Sequence, residues 1–132
     1  MPVKILVPVD GSDCSFRALE YAVDMAPRYE AAVHVVHVTD TRSADTETLL
    51  ERVRSILDAH DVEDDPDVRT DIDLDFRPSE RIGADVVTLV EREGYDHVVM
   101  GHHGTGALSR ALLGSAAKTV IDAGRVPVTV VP

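Results

Sequence analysis

The order of segments along this 132-residue chain predicts an α/β fold: a single domain, 1–132, built on an open, doubly wound, five-stranded parallel sheet in the order 3-2-1-4-5 with helices on both faces. Three observations lead there. Short β-branched runs alternate with longer segments whose apolar residues recur at helical spacing. The first run is apolar almost throughout, as a strand covered on both faces must be, whereas the third alternates polar with apolar residues and belongs at a sheet edge. Strands joined through helices also imply right-handed crossovers, and no repeat, linker or low-complexity block interrupts the order.

The first strand is expected over Val3 to Val9 and ends in the turn Asp10-Gly11-Ser12. Phe16, Leu19, Ala22, Val23 and Ala26 then mark a helix reaching about Tyr29, with Ser12 or Asp13 placed to cap its first N–H groups. Ala32 to Val38 reads as the second strand, and Leu49, Leu50, Val53, Ile56 and Leu57 form the stripe of the second helix. The acidic stretch Asp61 to Asp67 reads as a solvated loop, followed by an edge strand over Thr70 to Phe76. Pro78-Ser79-Glu80 opens the third helix, Ile82, Val86, Leu89 and Val90 form its stripe, and Gly94 stops it. His97 to Met100 is the fourth strand. A last helix spans Ser115 to Ala123 with Gly124 as its stop, and Val126 to Val131 is the fifth strand.

Composition narrows the partners. Apolar residues make up 44% of the chain, enough to fold, and a formal charge of −11 repels nucleic-acid phosphates and anionic lipid. Neither nucleic acid nor a membrane surface is an expected partner. The lone Cys14 excludes an internal disulfide, and nothing has the paired Cys/His spacing of a zinc site, so no metal ligands are assigned. No apolar run approaches the roughly 18 residues of a membrane span. The run Val3 to Val9 contains Lys4 and leads into Asp10, unlike a secretory signal, so a cytoplasmic protein is expected.

Ligands of such a sheet sit beyond the carboxyl ends of its strands, which directs attention to the residues after strands one and four. After strand four the chain reads Gly101-His102-His103-Gly104-Thr105-Gly106 and continues to Leu113-Gly114-Ser115, a spacing of G-x2-G-x9-G-S. A glycine at a strand end admits close backbone approach, and a Gly-Ser pair opening a helix offers N–H groups, a hydroxyl and the positive dipole end, which suits polyphosphate. The same residues also read as a plain turn and helix cap. The chain lacks any Gly-Lys pair, which excludes a P-loop, and Gly104-x-Gly106 is followed by Ser109, which excludes the dinucleotide fingerprint. Asp10 before Gly11 reads equally as a turn former or a ligand contact.

Other residues weigh less. His102 and His103 are adjacent, so their side chains diverge, and they read as loop histidines rather than metal ligands. His34 and His37, three apart on a strand, lie on opposite faces and form no pair site. Cys14 reads as a small packed side chain, and Arg110 as an exposed arginine or a phosphate contact. Phe76 and Arg77 after strand three argue against the clustered acids of a two-component receiver. No residue in the Gly-rich loop is an evident base for hydrolysis, so no catalytic residue is assigned.

The chain resembles the universal stress protein family, and within it the ATP-binding branch. The resemblance rests on Pro8-Val9-Asp10-Gly11-Ser12 with Ser15, Ala18, Leu19 and Ala22, on His37-Val38, on Pro78-Ser79-Glu80 with Ile82, on Asp96 with Val98-Val99-Met100-Gly101 and Gly104, on Gly114-Ser115, and on Val126-Pro127-Val128. It implies an adenine-nucleotide alpha-hydrolase-like fold that binds ATP with Mg or Mn. Asp10, with Pro8 and Val9 beside it, and Val38 would then lie near adenine. Met100, Gly101 and Gly104 would line ribose and phosphates, with His103 in the same loop, and Gly114, Ser115 and Ala116 would hold the phosphate tail. It also implies a homodimer through the edge strand Val126 to Val131. An ATP-dependent sensor or switch in the stress response leads; a slow ATPase and a nucleotide-free interaction module of the same fold are the alternatives.

The charge has a second reading. Eleven of the 13 cations are Arg, and Asp outnumbers Glu 16 to 8, a bias that suits a salt-rich cytoplasm in which short carboxylates hold water and salt screens self-repulsion. Thermal unfolding is therefore expected to shift upward between about 0.1 M and several molar KCl, and a melting temperature indifferent to salt would refute this reading.

Overall fold

The computed structural model describes residues 3–39, 44–62, 67–70, 78–102 and 113–132. In chain order they form β1 (Lys4–Pro8), α1 (Asp13–Met25), a 3-10 turn (Ala26–Tyr29), β2 (Ala32–Thr39), α2 (Ala44–Ala59), β3 (Asp67–Thr70), α3 (Pro78–Glu93), β4 (His97–Gly101), α4 (Ser115–Ala123) and β5 (Val128–Val131). Every strand pairing is parallel. β2, β1, β4 and β5 form the body of the sheet, and the four-residue β3 extends it beside β2, giving the order β3-β2-β1-β4-β5.

Strand periodicity explains why β1 is apolar from Ile5 onward. Ile5, Val7 and Val9 point to one face, where they pack with Phe16, Leu19 and Val23 of α1 and Leu50, Val53 and Leu57 of α2. Leu6, fully buried, points to the other and meets Val86, Leu89 and Val90 of α3 with Ala117 and Val120 of α4. The helices thus divide between the two faces, as the α/β class requires.

Several boundaries differ from the sequence expectation, each for a physical reason. β3 is described over Asp67–Thr70, so it begins inside the acidic stretch read as a loop, and of the strand expected over Thr70 to Phe76 only Thr70 falls among the described residues. Its place is set by backbone pairing with β2, Val36 against Asp67 through Thr39 against Thr70, which side-chain alternation does not report. Residues 63–66 and 71–77 lie outside the described residues. α1 ends at Met25, where Pro27, having no N–H to donate, helps tighten the chain into the 3-10 turn; Glu30 closes it in the left-handed region at φ 52°. β5 starts at Val128 because Pro127 cannot donate, although its carbonyl accepts from Val98 N at 3.0 Å.

One glycine sets how closely α3 and α4 approach. A Cβ at Gly83 would stand 2.6 Å from Thr119 Cβ and 2.9 Å from the Ala116 carbonyl oxygen. In an isolated helix Gly→Ala gains about 1 kcal/mol. Here α4 must shift to admit the methyl group, so Gly83→Ala is expected to lose a net 1–3 kcal/mol or so. Urea unfolding checks the sign: a raised midpoint would show that the two helices can separate at no cost.

Candidate functional site

All five parallel strands end at one edge of the sheet, and the four helices that follow β1 to β4 begin there, α1 and α4 beside the two central strands β1 and β4. At the end of β1, Val9 N donates to Val36 O at 2.9 Å and carries the strand one step past its last paired residue. The chain then turns through Gly11, whose φ of 90° is costly for any residue with a Cβ. Asp10 Oδ1 accepts from Ser12 N at 2.9 Å and from Ser12 Oγ at 2.5 Å. Ser12 Oγ in turn accepts from Ser15 N at 3.2 Å, so Ser12, not Asp13, caps α1. Ser15 Oγ donates to Ser12 O at 2.8 Å, and Asp13 places a carboxylate in the first turn. The start of α1 is thus satisfied from within, with Asp10 as turn former. Cys14 is fully buried, with Sγ 3.5 Å from Ser12 Oγ, as a small packed side chain.

The register Leu6 against Val98 sets Pro8 level with Met100 at the end of β4. Gly101 follows, and a Cβ there would lie 2.7 Å from Cys14 Sγ and 2.9 Å from Ser15 N. The space its missing side chain leaves is filled by the first turn of α1, a packing reason for glycine that differs from the expected close approach to a ligand. Beyond it, one peptide unit on each side of His102 joins two elements. His102 N donates to Val131 O at 2.8 Å, and His102 O accepts from Gly114 N at 2.8 Å. Gly114, extended at φ −63° and ψ 151°, is the N-cap of α4 and supplies no side-chain bond. Lys118 N closes the first helical bond onto Gly114 O at 2.9 Å. The N–H groups of Ser115, Ala116 and Ala117 therefore have no acceptor within the helix, and no acidic residue lies in that turn.

The two described ends of the G-x2-G-x9-G-S segment, Gly101-His102 and Gly114-Ser115, thus meet in space. Pro8, Val9, Asp10, Met100 and Gly101 gather at the ends of β1 and β4, and Gly114, Ser115 and Ala116 are tied to them through the His102 backbone. Val38 is the penultimate residue of β2, which ends at Thr39. His103, Gly104 and Arg110 lie outside the described residues. His34 and His37 do not meet. The His34 ring stacks on Tyr95 at 6.3 Å between centroids, while His37 Nδ1 lies 2.7 Å from Val9 O. That second contact, between the residue before Val38 and the residue before Asp10, had no sequence signal beyond a polar side chain in an apolar run.

Titration bears on another part of the molecule. Burial lowers the pKa of His97, at the opposite end of β4, where its Nε2 meets Thr129 Oγ1 at 2.7 Å. Among the described residues no group of three His, Cys, Asp or Glu side chains is placed to hold a metal ion, and no helix is long and apolar enough to cross a membrane.

Comparison with known proteins places this architecture. The sequence profile of the universal stress protein family matches residues 1–132. The universal stress protein MJ0531 of Methanocaldococcus jannaschii is 31% identical over an alignment covering 97% of this chain and 81% of that protein. Among solved structures, hypothetical protein MJ0577 superposes with a TM-score of 0.72 at 27% identity, covering 99% of this chain and 96% of that one. A universal stress protein in complex with cAMP superposes at 0.76 with 21% identity, covering 98% and 96%. With a family profile spanning its whole length and a relative above 30% identity, the chain belongs to the universal stress protein family.

Proposed function

We propose that this protein binds ATP, with Mg or Mn carried in on the nucleotide, and acts as a dimeric cytoplasmic switch in a stress response. The observation that supports this most is the 2.8 Å bond from Gly114 N to His102 O, which sets the uncapped first turn of α4 beside the end of β4. Three N–H groups and the positive end of the helix dipole then face the crevice beyond the strands, where parallel α/β sheets take their ligands. Of the two helices that start beside the central strands, α1 already has a serine cap and an acidic first turn, so the phosphate tail belongs on α4 and not on α1. Asp10, Pro8, Val9 and Val38 take the base and ribose end; Met100, Gly101, His103 and Gly104 run along the sugar and phosphates; Gly114, Ser115 and Ala116 hold the tail. A relative of this fold holds cAMP, an adenine nucleotide, which accords with that assignment. The reading is one of binding with at most slow turnover, since the first turn of α4 offers no carboxylate to orient water or metal.

Calorimetry with Mg-ATP at high KCl tests the reading. Wild type is expected to bind, and Gly114→Val, whose branched side chain intrudes on the phosphates, to lose at least about tenfold in affinity while its unfolding midpoint shows a folded protein. Bound ATP is expected to survive for hours without phosphate release. Absence of binding by the wild type would leave an interaction module of this fold.

The dimer follows from the sheet edge. All four residues of β5 are half-buried, and among the described residues the strand is paired on one side only, by β4. A second copy related by a two-fold axis satisfies that edge through Val126 to Val131. Light scattering at working salt is expected to give twice the mass of one chain, and the mass of a single chain would refute the dimer.

A further inference from the structure

His37 is 9% exposed, a polar ring in a strand that is otherwise apolar around it, and its one described hydrogen bond crosses to the neighbouring strand. Nδ1 lies 2.7 Å from the carbonyl oxygen of Val9. A carbonyl only accepts, so Nδ1 carries the proton and the ring is fixed in that tautomer. Val9 N is held by Val36 O at 2.9 Å. Both polar groups of Val9 are therefore anchored to β2, one by the backbone and the other by a side chain, although Val9 lies beyond the last residue of β1. The next peptide begins Asp10, whose carboxylate is then aimed by the Ser12 turn.

We propose that His37 is a positioning residue for the base and ribose end of the nucleotide site. Its ring fixes the Val9–Asp10 peptide and, being one residue before Val38, ties the two strand ends that flank the base to each other. The inference rests on the nucleotide reading above. It assigns no part of the phosphate end to His37, because that end is held by a separate pair of bonds, from His102 N to Val131 O and from Gly114 N to His102 O. Loss of the ring donor leaves a buried carbonyl without its partner, and the Val9–Asp10 peptide is freed to seek another.

Three substitutions separate this role from plain packing. Asparagine places its amide nitrogen where Nδ1 stands; glutamine carries it further out, where Nε2 stands; leucine has no donor. His37→Asn is expected to keep ATP affinity within about threefold, whereas His37→Leu and His37→Gln lose about tenfold, the worth of one buried hydrogen bond. Tripolyphosphate, which has no base or ribose, is expected to bind all four proteins alike. If the leucine variant does not fold, the glutamine variant gives the same reading. Independently of any nucleotide, long-range ¹⁵N spectra of the imidazole are expected to show the proton on Nδ1.

Equal ATP affinity in wild type and His37→Gln overturns the inference and leaves the nucleotide reading standing. Parallel loss of ATP and tripolyphosphate in the asparagine, glutamine and leucine variants overturns it too, since that is the mark of a general packing role. An Nε2-protonated ring does the same. A wild-type protein that binds neither ATP nor tripolyphosphate overturns the nucleotide reading and this inference with it.

Discussion

The burial of β1 on both faces is the constraint from which the rest of the arrangement follows. Leu6 and Val7 are wholly inaccessible and point in opposite directions, so each face of the sheet must be covered by helices. Parallel pairing on both sides, with β2 and β4, then requires every return of the chain to cross a face through a helix. Those crossovers begin at a common edge. α1 starts there on one face and α4 on the other, and the crevice between them is a by-product of topology before any residue is chosen for binding.

The residues then make the two helix starts unequal. At α1, Asp10, Ser12 and Ser15 bond to one another, and Asp13 supplies the negative charge that the helix dipole favours. At α4 a glycine replaces the serine, so the extended N-cap geometry is kept while the capping oxygen is absent. The cost of those open N–H groups is met by packing: Ala117 and Val120 are buried against the sheet, and Gly83 lets α3 come close enough to hold α4 in place. A closed start and an open start on either side of one crevice give it polarity, with one end suited to hydroxyls and a base edge and the other to anionic oxygens.

Much of this was legible in the sequence. The bounds of α4, Ser115–Ala123, follow from Gly114-Ser115 at one end and from Gly124 at the other, which adopts φ 63° and returns its N–H to Ile121 O. The stripe of α2 is buried as its spacing indicates. What escaped reading depended on contacts between distant segments. β3 is placed by hydrogen bonds to β2, and only Val68 and Thr70 of its four residues favour a strand, too short a signal to fix its bounds. Gly101 has a packing role that the sequence does not show beside the one read for it: its missing side chain makes room for Cys14 and Ser15, 86 and more residues earlier in the chain. His37 belonged to a recognisable pair with Val38, but its partner is a main-chain carbonyl, and a carbonyl leaves no trace in sequence.

Net charge and local chemistry now fit together. A chain at −11 repels a polyanion at long range, and salt of a few tenths molar already confines that repulsion to less than about 8 Å. Within that range the local groups decide. Between Gly101 and Ser115 the sequence contains one cation, Arg110, and no carboxylate, while the rest of the chain holds all 24 acids. Backbone N–H groups are the suitable donors in such a window, because they present positive dipole without a side chain that must be ordered or desolvated, and they do not titrate. An acidic surface and the proposed phosphate-binding crevice are therefore compatible in one small domain: solvent sees the carboxylates, and Gly101 and Gly114-Ser115 at the sheet edge belong to the longest run of the sequence that lacks them.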